Sequence, residues 1–144
     1  MDMNHEAYGL SDHDVTAVII LRHLAMPLGL TDAMWAKYKI GEAFKVTDAA
    51  TKATAIRNPF LHPDGMSFEG SEIPTMAGRG VVFPVCNMAL THISARVAKN
   101  AGVSEEAAKA DFQANLVSGT VLVPIGVLAV NRAQERGCTY CYAG

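Results

Sequence analysis

An α/β chain with an open, three-layer, mainly parallel sheet is the fold that the sequence predicts, and three observations lead there. Short β-branched apolar runs recur at residues 15–23, 81–85 and 119–126. Each is followed by a segment with helical spacing rather than by a hairpin turn. None of the runs alternates polar with apolar residues, as a strand with one wet face would.

The first run, VTAVIILRH, reads as a buried strand ending in Arg22 and His23. Thr31 or Asp32 then caps a helix through DAMWAKYKIGEAF, with Trp35, Tyr38 and Phe44 as packing residues. TDAATKATAIRNPF is expected to hold a short helix and then an extended piece broken at Asn58-Pro59. HPDGMSFEGSEIP reads as an irregular excursion whose length suggests a functional loop or a subunit contact. SEIPTMAGRG carries a short helical turn.

VVFPV, 81–85, is the second strand, and NMALTHISARVAKN continues as an amphipathic helix stopped by Gly102. SEEAAKADFQANL begins another helix, favoured by Glu105 and Glu106 in its first turn although Ala107 leaves the capping box incomplete. GTVLVPIG is the third strand, GVLAVNRAQERG a helix, and CTYCY a short closing strand. Residues 1–144 form one domain in this reading, with 1–13 a polar extension.

Composition narrows the function. Charged residues make up only 18% of a chain that is 50% hydrophobic, which hints at surface covered in an oligomer. A net charge of −2 gives no reason to expect nucleic acid or an anionic membrane as partner. No apolar run is long enough to span a bilayer. The polar start lacks signal-peptide character, so a cytoplasmic setting is expected, or a periplasmic one if a leader has been removed.

Ligands of open α/β sheets sit beyond the carboxyl ends of the strands. Arg22 and His23, Cys86, and Pro124 to Gly126 converge there if the three strands are parallel neighbours. Cys86 closes a strand, and Asn87 is placed to begin the next helix, where backbone N–H groups stabilise a thiolate. The plainer reading is a buried space-filler beside Val85 and Met88. Arg22, His23, Asn58 and Asn87 are candidate ligand-binding residues, against a plainer role in shaping turns.

Cys138 and Cys141 have dithiol spacing, yet on a strand they point to opposite faces, so structural cysteines are expected rather than a redox pair. His5, His13, His62 and His92 lack metal-ligand spacing, and no nucleotide-binding glycine motif occurs, so neither metal nor cofactor is expected.

In order and approximate spacing, AVIILRH, GRGVVFPVCNMAL, LVPIGVLAVNRAQERG and TYCY resemble the DsrE/DsrF-like sulfur-relay superfamily. The resemblance implies a flavodoxin-like sheet and a homotrimer or homohexamer. It also implies a persulfide carried on Cys86 and passed to an acceptor thiol, with a donor or acceptor protein as partner. The alternative is a non-catalytic oligomeric module that binds a small ligand or metal.

Overall fold

The computed structural model describes residues 2–64 and 70–141. Helices α1 (Asp2–Tyr8), α2 (Asp32–Lys37), α3 (Ile40–Phe44) and α4 (Ile73–Gly78) precede strand β1 (Phe83–Cys86). Then come α5 (Asn87–Val97), α6 (Glu105–Ala114), strand β2 (Thr120–Val123) and α7 (Gly126–Gln134). β1 and β2 pair in parallel, with Phe83 opposite Thr120 and Cys86 opposite Val123.

The expected three-layer flavodoxin-like sheet is not what forms: among the described residues the sheet has two strands and the chain is mostly helical. Proline chemistry explains the loss of the first strand. Residues 17–21 run beside β1 and touch it through isolated bridges, Val18 to Val82 and Leu21 to Val85. Val82 N–H donates to the Ala17 carbonyl and Cys86 N–H to the Leu21 carbonyl. The donor due between them, to the Ile19 carbonyl, belongs to Pro84, which has no N–H. The ladder is therefore interrupted at its middle rung.

The closing strand is also absent. Residues 138–141 adopt no regular structure, and the end of TYCY at Tyr142 lies outside the described residues. The helix expected in 47–60 is replaced by turns and a Thr47–Thr54 bridge. Residues 65–69 of the irregular excursion are outside the described residues, whereas its exit forms α4 as expected. The polar extension holds α1.

The helix expected over 32–44 is divided in two, because Lys39 takes a left-handed conformation with φ 48°. The break lets Gly41 meet the loop that follows. A Cβ there would lie 1.9 Å from the Ala55 carbonyl oxygen, so only glycine fits.

One face of the sheet, carrying Phe83 and Val85, is buried in the main core with Leu21, Met26, Leu30, Trp35, Leu90 and Phe112. Tyr38 and Phe112 meet edge to face at 4.9 Å, a geometry that suits the ring quadrupoles. The Trp35 indole N–H donates to the Pro27 carbonyl at 2.8 Å, which satisfies its one polar atom. Trp35 and Tyr38 are therefore packing residues, and Phe44 borders the same cluster. The opposite face is covered more sparingly, by α7.

Tyr38 also donates its hydroxyl to Asp111, 2.8 Å away, and Lys37 pairs with the same carboxylate. Lys37 and the Tyr38 hydroxyl hold the Asp111 carboxyl below its usual range. Burial, reinforced by Asp111, pushes the Tyr38 hydroxyl up to about 12. The folded state thus binds the phenolic proton more tightly than the unfolded chain does. Its stabilisation is complete below the ordinary value of 10.0 and is lost as pH climbs toward 12. Urea unfolding across this alkaline range should show a steeper loss of stability for the wild type than for Tyr38→Phe.

Candidate functional site

The site is built where two strands turn into helices. Cys86 ends β1 and caps α5, with its Sγ accepting the Ala89 N–H at 3.5 Å. The same sulfur accepts the Gly126 N–H, from the first residue of α7, at 3.2 Å. Both donors lie in first helical turns, where backbone N–H groups have no partner within the helix. A second stitch runs the other way: Met88 N–H donates to the Pro124 carbonyl at 3.3 Å. The two junctions are thereby fastened to each other.

Gly126 sits in a tight space. A Cβ at this position would lie 3.2 Å from the Arg22 Cβ, 3.2 Å from Ile20 Cγ2 and 3.3 Å from the Cys86 Cβ. The same crowding shows that Arg22 and Cys86 approach Gly126 together, so those three converge at the sheet edge. Arg22 is half-buried, precedes a 3-10 turn over His23–Gly29, and its side chain makes no hydrogen bond or ion pair among the described residues. His23 is exposed with φ 46° and opens that turn.

Asn87 lies next to the thiol in sequence, but its side chain is engaged elsewhere. Its Oδ1 accepts from Gln113 Nε2 at 3.0 Å, tying α5 to α6. Asn58 is wholly buried and fully used. Its Nδ2 donates to the carbonyls of Leu28 and Leu30 at 2.8 and 2.7 Å, and its Oδ1 accepts the Phe60 N–H at 3.0 Å. Its own N–H donates to Asp32 Oδ1, while Asp32 Oδ2 meets His62 Nε2 at 2.6 Å. Asn58 is thus a clamp between a loop and the 3-10 turn.

Sequence reasoning missed two features. Spacing among the histidines gave no sign of the His62–Asp32 pair, because its partners are 30 residues apart. The role of Gly126 as a second donor was also unseen, though a glycine directly after a strand is a signal for close backbone approach. Cys86 and Cys138 are free thiols. Among the described residues, no group of three or more His, Cys, Asp or Glu side chains is arranged to hold a metal. No helix among them is long and apolar enough to cross a membrane.

No protein-family model, curated protein or solved structure matches the chain. The resemblance to the DsrE/DsrF-like superfamily is overturned with it, since the largely helical fold lacks that sheet-rich architecture and no relationship supports the assignment. What the residues define is a small mixed helical domain with a thiol at the meeting point of two helix starts.

Two substitutions test this construction. Asn58→Ala strands the buried carbonyls of Leu28 and Leu30, and urea unfolding should show a loss of about 3 kcal/mol. Gly126→Ala must displace Arg22, Ile20 or Cys86 and should cost about 1–3 kcal/mol by overpacking. An unchanged unfolding midpoint for either variant would refute the assigned contact.

Proposed function

We propose that the protein carries sulfane sulfur as a persulfide on Cys86 and passes it to an acceptor thiol. The observation that carries this reading is the pair of helix-start N–H groups directed at one sulfur. A neutral thiol is a weak acceptor, and oxygen side chains are the usual helix caps. Two such donors suit a sulfur bearing negative charge, which is the form that attacks electrophilic sulfur. Arg22, whose Cβ packs against the same glycine as the Cys86 Cβ, is the candidate cation for an anionic persulfide.

In the loading step the Cys86 thiolate attacks the outer sulfur of a donor persulfide. The new S–S bond forms as the donor's own S–S bond breaks, and the donor leaves as a thiolate that takes a proton from water. An acceptor thiolate then removes the outer sulfur by the same exchange and restores Cys86. Electrons balance across the two steps without an oxidant. Cys86 is only 5% exposed, so the reading calls for a small donor or for movement at the start of α7.

Assembly into a homotrimer or homohexamer belongs to the same proposal, as does a protein donor or acceptor of sulfur. The low charged fraction, 18%, supports a self-contact. The free thiols of Cys86 and Cys138 fit a reducing, cytoplasmic setting.

The test is intact mass of the native protein after exposure to a persulfide donor, beside Cys86→Ala. The expected result is a reductant-labile gain of ~32 Da on the wild type that vanishes with Cys86. A gain of equal size in the variant, or none in a folded wild type under excess donor, would overturn the proposal.

A further inference from the structure

The sparsely covered sheet face forms a trough against α7 with a volume of about 570 Å³. That lies within the range of small-molecule sites. Its floor is apolar, made by Val18, Val82 and Val123. Its wall is a single helical stripe in which the side chains change character along the axis. Ile125, Leu128 and Ala129 come first, then Arg132 and Arg136 at the carboxyl end. Residues three and four apart on a helix share a face, which is why this order grades the trough from apolar to cationic.

The arginines differ in availability. Arg132 Nη1 donates to Glu135 Oε2 at 2.6 Å. Among the described residues, Arg136 makes no hydrogen bond or ion pair through its side chain. Cations near a helix carboxyl end complement the backbone dipole, which accounts for Arg132 in the last turn of α7 and suits Arg136 in the turn just beyond it. It does not account for an open apolar floor beneath them. Leu128 is 46% exposed, and Val82 and Ile125 are also exposed in the same trough. An aliphatic chain laid along the floor removes this surface from water, and an anionic head at its end meets Arg136.

We propose that the trough binds a small amphiphilic anion, an aliphatic chain ending in a carboxylate or phosphate. Cys86 does not line it, so this site is independent of the thiol chemistry. The occupant is fixed by two features at once: the floor selects the chain, and the unpaired guanidinium selects the sign of the head. Guanidinium matches both carboxylate and phosphate through paired N–H donors.

The experiment is isothermal titration of the full chain with decanoate, decyl phosphate and decyltrimethylammonium, each below its micelle concentration. Saturable binding of one or both anions at one per chain, with no binding of the cation, is the expected outcome. The stronger of the two anions identifies the head group. Arg136→Gln should weaken binding about tenfold, the worth of one hydrogen-bonded charge. Leu128→Asp should abolish it, whereas the remote Lys99→Gln should leave it unchanged. Circular dichroism of each variant keeps loss of folding distinct from loss of the site.

Equal binding of anion and cation would overturn the proposal, as would anion binding indifferent to Leu128→Asp. Sedimentation equilibrium supplies the remaining outcome. Failure to bind either anion, together with a dimer that Leu128→Asp dissociates, would assign the trough to a second copy of the chain and refute the ligand site.

Discussion

The bond from the Gly126 N–H to the Cys86 sulfur is the contact on which the arrangement of the site depends. Two strands as short as β1 and β2 do not secure the directions of their following helices by themselves. A fastening at their carboxyl ends does. With Met88 bonded back to Pro124, the starts of α5 and α7 are held together although 40 residues separate Cys86 from Gly126. Arg22 is brought in by the same close packing. The thiol is therefore both a structural knot and the group with the most chemical potential.

That double role changes how burial should be read. A cysteine packed only for volume needs apolar neighbours and no directed donors. Cys86 has Val85 and Leu90 in its core cluster, but it also receives two N–H groups that water would otherwise satisfy. Burial limits which reagents arrive, while the donors act on the charge of the sulfur once it forms. In the proposed function access and activation are separate requirements, and the short first residue of α7 bears on both. Gly126 lets the backbone come near the sulfur, and it leaves no side chain in the space between Arg22 and Cys86.

Local patterns made much of the helical half legible. Gly102 stops the segment after α5 with φ 66°, and Ser104 accepts the Ala107 N–H at the start of α6. The parallel neighbours β1 and β2 also follow from apolar runs separated by helices. What failed was the step from apolar run to sheet rung. VTAVIILRH has the composition of a strand, yet pairing depends on the partner's donors, and Pro84 withholds the one opposite Ile19. The closing strand expected at CTYCY has nothing in its sequence to specify a neighbour. The family resemblance inherited both errors, since it was carried by those same pieces.

Site residues were legible in proportion to how local their roles are. The place of Cys86 at a helix start follows from its immediate neighbours. The partners of Asn58, Leu28 and Leu30, were not legible because they are about thirty positions away and offer only backbone carbonyls, which every residue has. The trough escaped notice for a related reason. Its wall is an ordinary amphipathic stripe, and stripes of this kind usually pack into a core. Only the tertiary structure reveals that the stripe from Ile125 to Arg136 faces a sheet too narrow to cover it. A third full strand would have widened the floor and let more of the helix bury. Interruption of the ladder at Pro84 is thus one source of the small sheet, and the open trough beside α7 lies on its sparsely covered face.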